Sequence, residues 1–276
     1  MKKTTLLLSC LLTLIAAGSF AQDSKKKENP KHINFYKVFT DETKEIKVQF
    51  DDIISMIEFA KFKIRLTNKT NDFILFKPKE SKFIIDGKDF SPTDKDMLIQ
   101  PLDKDSKVID VKGIGTNMHV DSYKFSLNGL YSIPTNVPSI PAPNFKLPAS
   151  INDFTVGNFK VELTGITKKT QVTNAEFKVT YTGDGYGIVD PNKLGVKIES
   201  GQEFANAKSQ KLILLTNRQS DTFVANFNIQ GKIADMQFAN MEILWRDTFK
   251  ESTINKLDGK EYEIVLDPGL TAGKNK

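Results

Sequence analysis

Cysteine, tryptophan and histidine are nearly missing: the 276 residues hold one cysteine, Cys10, one tryptophan, Trp245, and two histidines, His32 and His119. Cys10 lies in the N-terminal segment, and removing that segment leaves no thiol. This excludes a disulfide framework, a thiolate zinc site and a cysteine nucleophile. The two histidines stand 87 positions apart, which supplies a hydrolytic triad or a histidine-rich metal site poorly, and both read as ordinary loop residues. Charge of one sign is also scarce. There are 39 basic and 34 acidic residues, and two of the basic ones, Lys2 and Lys3, belong to the N-terminal segment. No basic stripe interleaved with aromatics runs through the chain, so a nucleic-acid partner is not expected.

Only one long apolar run exists, from Leu6 to Ala17, preceded by Lys2 and Lys3 and followed by small residues at Ser19 and Ala21. It is short for a bilayer span and has the three parts of a secretory signal, so cleavage is expected before Gln22. Leu7-Leu8-Ser9-Cys10 loosely fits a lipoprotein signal. The apolar run continues past Cys10, however, which places that cysteine wrongly for lipidation. The mature chain is then expected in the periplasm or outside the cell, with no transmembrane span. Stability has to come from apolar burial rather than covalent staples.

Five of the eleven prolines fall between Ile133 and Ala149, where hydrophobic periodicity stops. This reads as a semi-rigid spacer between two modules. The expected organisation is a signal peptide at 1–21, a basic tail at 22–31 carrying Lys25, Lys26, Lys27 and Lys31, and a first module at 32–133. A proline-rich linker follows at 134–149, a second module at 150–267 and a C-terminal tail at 268–276. The flanks of the linker resemble each other. Phe62, Ile64 and Leu66 align with Phe177, Val179 and Tyr181, and Gly87 and Phe90 with Gly201 and Phe204. Tyr123, Phe125 and Leu127 fall opposite Met241, Ile243 and Trp245. A unit this long implies tandem domains rather than a solenoid.

Within each flank apolar residues alternate with polar ones, as a half-buried strand requires. Phe62, Ile64 and Leu66 alternate with Lys63 and Arg65, and Phe159, Val161 and Leu163 with Lys160 and Glu162. Turn-forming runs such as Asn68 to Asp72, Asp86-Gly87 and Ser200-Gly201 punctuate them. The pattern predicts an all-β chain of two tandem antiparallel β-sandwich domains. One stretch, Asp52 to Ala60, places Ile53, Met56, Ile57 and Ala60 at helical spacing and predicts a short helical turn.

In the second module, Phe154-Thr155-Val156-Gly157-Asn158-Phe159 is followed by Glu176-Phe177-Lys178-Val179-Thr180-Tyr181-Thr182-Gly183-Asp184 and by Ile198-Glu199-Ser200-Gly201-Gln202-Glu203-Phe204. This succession resembles the exported bacterial telokin-like, immunoglobulin-like domains of unknown function. Phe62 to Asn68 and Ile84 to Phe90 resemble it more faintly. The likeness covers about two-thirds of the mature chain, lacks the paired cysteines of antibody-like domains, and carries no functional residue over. It implies immunoglobulin-like sandwiches with a binding role.

Candidate chemistry is sparse. Asp94 with Asp96, and Asp103 with Asp105, flank Met97 to Leu102 and are the carboxylates to weigh for glycosidic chemistry or calcium. The glycine turn and distal glutamate of a twelve-residue calcium loop are absent, and Lys95, Lys104 and Lys107 are interleaved, so a solvated loop is expected. Gly183-Asp184-Gly185-Tyr186-Gly187 lacks the helix start of a phosphate loop and is expected to be a turn with positive φ. Asp184 and Tyr186 at its tip are the surface candidates for a ligand contact. Trp245 is expected in the core, with an acceptor for its indole N–H. No metal, cofactor or catalytic residue is assigned. The expected function is a non-enzymatic exported binding or accessory protein of the bacterial envelope, using loops or edge strands toward an envelope or extracellular protein or glycan. The rival is a carbohydrate-binding or hydrolytic protein acting through a carboxylate cleft between the modules. A third reading is a passive spacer.

Overall fold

The computed structural model describes residues 32–275; the signal reading, Cys10 and the lysine run of the basic tail lie outside the described residues. The described chain is all-β and antiparallel, with one short helix. Among the described residues no helix is long and apolar enough to cross a membrane.

The first half opens with β1 (Asn34–Phe35), β2 (Phe39–Glu42), β3 (Ile46–Ser55) and β4 (Phe59–Asn68). It continues with β5 (Phe73–Phe76), a single 3-10 turn at Pro78–Glu80, β6 (Lys82–Ile85), β7 (Lys88–Phe90) and β8 (Met97–Ile99). It ends with β9 (Lys104–Lys112), β10 (Ser122–Leu127) and β11 (Leu130–Ile133). One layer has the order β1-β3-β4-β9, with β2 beside β1 along β3. The other is a bent layer in which β10-β6-β7 is continued by β11-β5-β8. Alternation drives this. On β4, Ala60, Phe62, Ile64 and Leu66 are fully buried while Lys61, Lys63 and Arg65 face outward. Phe50 and Phe62 from one layer meet Phe83 and Phe125 from the other at centroid distances of 4.8 to 5.9 Å. Each buried ring contributes about 1.5–3 kcal/mol relative to exposure.

The second half comprises β12 (Phe145–Leu147), β13 (Asp153–Val156), β14 (Phe159–Lys168), β15 (Val172–Tyr181) and β16 (Tyr186–Val189). A 3-10 turn at Pro191–Lys193 leads to β17 (Leu194–Ile198), β18 (Glu203–Ala205) and β19 (Ile213–Leu215), then β20 (Ser220–Asn228), β21 (Met241–Trp245) and β22 (Phe249–Ser252). Here β13-β14-β15-β20 faces β12-β21-β17-β18 and β19-β16-β22, in the pairing order of the first half. Trp245 fills the centre, with ring centroids of Phe154 and Phe177 at 5.1 Å and of Phe249 at 5.5 Å.

The outermost strand beside β10 and β11 does not come from the first half. β23 (Asn255–Lys256) pairs with β11, and β24 (Lys260–Val265) pairs with β10, setting Tyr262 opposite Phe125 and Ile264 opposite Tyr123. Conversely, the chain leaving β11 supplies the second half: Ser139 bridges Lys250, and β12 lies on β21 with Phe145 opposite Ile243. Each half is therefore completed by the segment that follows the other. This differs from the sequence reading, which placed residues through 267 in the second module and 134–149 in a linker. Strand alternation marks a strand but carries no information about its partner. Phe145 and Leu147 are core residues, with a cis Leu147–Pro148 bond beside them.

The residues expected as a C-terminal tail form α1 (Pro268–Lys274), capped by Asp267 Oδ1 accepting from the Leu270 N–H at 2.9 Å. It docks on β1, where Thr271 Oγ1 accepts from the Phe35 N–H at 3.0 Å and Asn275 Nδ2 donates to the Ile33 carbonyl at 2.7 Å. The expected helical turn at 52–60 is absent. β3 carries a bulge between Asp51 and Ile54, with Asp52 at φ 51°, and this phase shift turns Ile53 into the core. A bulge in an alternating strand produced the spacing that reads as helical.

The halves meet through an apolar cluster of Phe73, Ile133 and Ile188, flanked by Leu75, Tyr186, Leu212, Leu214 and Ile254. The crossing chain is also tied down by polar contacts: Ser252 Oγ donates to the Pro134 carbonyl at 2.7 Å, and Lys250 Nζ to that of Thr135 at 3.0 Å.

A chain ending at residue 253 loses β24, its buried Tyr262 and Ile264, and the cover over Tyr123 and Phe125. Its stability is expected to fall by roughly 3–6 kcal/mol from those two side chains alone. Urea unfolding followed by Trp245 fluorescence and far-UV dichroism measures this, and an unchanged midpoint would refute the account. A second test concerns the anchor of β24 on β2. Lys260 Nζ and Tyr262 Oη each donate to Asp41 Oδ2 at 2.8 Å. The Lys260 bond chiefly holds the Asp41 carboxyl below its ordinary range. A carboxylate whose pKa is depressed on folding adds stability above its unfolded value, near 4, and loses it as the pH falls through the folded value. Between pH 5 and 2 the urea midpoint of Asp41→Asn should therefore fall less than that of the unaltered chain; parallel curves would exclude this role.

Candidate functional site

The two loops that join the layers at one end of each half share an anchor. In the first half, the loop between β9 and β10 buries Met118, whose N–H donates to the Ile57 carbonyl at 3.1 Å. In the second, the loop between β20 and β21 buries Met236, whose N–H donates to the Thr170 carbonyl at 2.9 Å. A buried methionine and a backbone bond at equivalent places hold both loops against the sandwich.

What the second loop presents is an exposed apolar surface. Phe238 is 76% exposed and Ile233 39%. The loop is nonetheless fixed: Lys168 Nζ donates to the Ala239 carbonyl at 2.7 Å, and the Phe238 N–H to that of Asp235 at 3.1 Å. Burial pushes the Lys168 amine below its ordinary value. Phe238, Ile233 and Asp235 line a depression of about 350 Å³. It adjoins a groove of about 540 Å³ through the shared residues Ile198 and Glu199. That groove runs across the ends of β12, β21 and β17. Leu147, Met241 and Ile198 stand in register across the three strands, as do Lys146, Glu242 and Lys197. Asn240 Nδ2 donates to Glu199 Oε1 across its mouth. The surface thus combines an exposed ring with charges of both signs, over a floor formed by the buried Leu147, Met241 and Ile198.

The loop residues singled out from sequence lie elsewhere. Asp184 is exposed, but Tyr186 is the first residue of β16, paired with Ser252 and packed into the cluster between the halves. Burial raises its phenol pKa, with Asp96 adding to the shift. Gly183, Gly185 and Gly187 do not have positive φ. They are glycine because space is missing: a Cβ at Gly187 would approach the Tyr181 ring to 2.6 Å and Phe159 to 2.7 Å, and one at Gly183 would overlap the Tyr181 hydroxyl. The expected positive-φ turn is thus replaced by close packing around Tyr181.

The four aspartates are not brought together as a site, and among the described residues no group of three or more His, Cys, Asp or Glu side chains forms a metal cluster. Asp103 pairs with Lys211 of the second half at 3.0 Å; the Lys104 N–H it accepts, and then this pair, hold the carboxyl below its ordinary range. Asp105 Oδ1 accepts from the Ser106 N–H at 2.7 Å, and Asp94 Oδ2 is enclosed without a hydrogen-bond partner. Trp245 is in the core as expected, but its indole N–H has no acceptor and is surrounded by rings.

Sequence reasoning missed two features. Phe238 lies in a stretch without strand period, and an isolated phenylalanine there carries no signal of exposure. His32 and His119, read as separate loop residues, are in contact: His32 Nδ1 and His119 Nε2 lie 2.9 Å apart, with ring centroids at 5.0 Å and planes at 83°.

No family model matches the chain, and no curated protein matches it. Solved structures align at low similarity. A conserved domain protein from Bacillus anthracis is 11% identical, with 87% of this chain and 94% of that one covered and a TM-score of 0.22. Red sea bream transglutaminase is 5% identical, covering 78% and 31% at a TM-score of 0.20. The YadV chaperone is 12% identical, covering 71% and 92% at 0.18. At these scores the similarities assign neither family nor activity.

Proposed function

We propose that the protein is an exported, non-enzymatic binding or accessory protein of the bacterial envelope, built from two immunoglobulin-like sandwiches, and that it holds a polypeptide partner at the second-half loop. Export rests on the Lys2-Lys3 start, the apolar run to Ala17 and the small residues before Gln22. The immunoglobulin-like reading rests on the Val156-Gly157 start and the succession of strands that follows it, together with two facing antiparallel layers per half.

The observation that carries the binding role is Phe238, a large ring left 76% exposed on a loop pinned by buried Met236. Exposing a phenylalanine forfeits about 1.5–3 kcal/mol of burial, so a rigid support for it favours a surface that is covered in use. Rigid aromatic anchors dominate binding energy because little side-chain entropy is lost on docking. The neighbouring Lys146, Lys197, Glu199 and Glu242 supply both signs of charge, which matches a peptide better than an anionic glycan. A sugar platform would call for several coplanar exposed rings, and Phe238 is the one aromatic residue in the two depressions.

Phe238→Ser should leave the urea midpoint within about 0.5 kcal/mol of the unaltered chain, since the site is exposed. Partner capture should weaken at least tenfold, as for an aromatic hot spot. The check is chemical cross-linking of both tagged chains in the native envelope, with captured proteins quantified by mass spectrometry. Equal capture by the two chains would remove Phe238 from the site. Capture of glycan without protein would overturn the polypeptide assignment.

A further inference from the structure

We infer that His32 and His119 form a binding site for a divalent transition-metal ion, with copper(II) the preferred occupant. The site is independent of the Phe238 surface and sits on the equivalent loop of the other half.

The two imidazoles come from distant parts of the chain but from backbone that is held in place. Next to His32, the Ile33 N–H donates to Asn275 Oδ1 at 2.9 Å, and Asn275 Nδ2 returns a bond to the Ile33 carbonyl at 2.7 Å. Beside His119, the Val120 carbonyl accepts from Tyr36 Oη at 2.6 Å and from Asn34 Nδ2 at 3.1 Å. Buried Met118 fixes the other side of the same loop. The nitrogens are thus brought to 2.9 Å by the segment entering β1, held by the end of α1, and by a loop pinned to β1. Ligands on rigid supports lose little entropy when an ion is captured.

The separation is that of a hydrogen bond between the two rings and lies within reach of a shared ion. With metal–nitrogen bonds of about 2.05 Å, two nitrogens 2.9 Å apart subtend about 90° at a shared ion. That is the cis angle of a tetragonal site, the preference of copper(II) and nickel(II). A tetrahedral zinc site would need about 3.35 Å between them. Copper(II) is also the tightest divalent ion for neutral nitrogen donors. To share an ion, each ring turns by about 45° from the line joining the nitrogens. Both side chains are only half-buried.

The test uses the full chain, titrated calorimetrically with copper(II) in the presence of glycine as a weak competitor, and with zinc(II) in parallel. The expected result is one copper per chain with micromolar affinity, zinc at least tenfold weaker, and a loss of at least tenfold in either His32→Ala or His119→Ala. Electron paramagnetic resonance of the unaltered chain with one equivalent of copper should show two imidazole nitrogens, a readout that needs no variant to fold. The inference is overturned by no saturable binding below millimolar copper, by affinity unchanged in both variants, by zinc binding as tightly as copper, or by a spectrum with fewer than two imidazole nitrogens.

Discussion

The pairing of β24 with β10, mirrored by that of β12 with β21, is the constraint on which the rest of the structure depends. Each supplies the outer strand of a layer whose other strands come from the opposite half. Without β24, Phe125 and Tyr123 lose the cover of Tyr262 and Ile264 and a row of ladder hydrogen bonds. Without β12, Ile243 and Met241 lose Phe145 and Leu147. Each core thus includes side chains from the segment that follows the other half, and Phe73 and Ile133 pack with Ile188 where the halves meet.

This interlock also explains why the polar contacts of the crossing segments are numerous although each is weak. Surface ion pairs such as Lys211 with Asp103 add little alone. The bonds of Ser252 and Lys250 to the carbonyls of Pro134 and Thr135 satisfy two backbone acceptors of the crossing segment. They fix where the chain leaves one sandwich and enters the next.

On this common frame the two halves diverge in the loop that joins their layers. Both loops are anchored by a buried methionine, Met118 and Met236. One loop carries His119 against His32, and the other carries Phe238 beside a groove.

The sequence by itself determined the all-β class and the alternation of β4 and β14. Side-chain period is a local property and is written residue by residue. The alignment of Phe62 with Phe177 was off by two: the β3–β4 ladder ends at Asn68 and the β14–β15 ladder at Tyr181, which makes Ile64 the counterpart of Phe177. A shift of two keeps the same face toward the core, so the pattern alone does not detect it. The helical spacing at 52–60 was a bulge, and the glycines at 183–187 answer to Tyr181 rather than to a turn. Strand exchange between halves, the meeting of His32 with His119 and the exposure of Phe238 were decided only by tertiary structure. Each depends on which distant segments come to lie side by side, and periodicity along one strand says nothing about its neighbour.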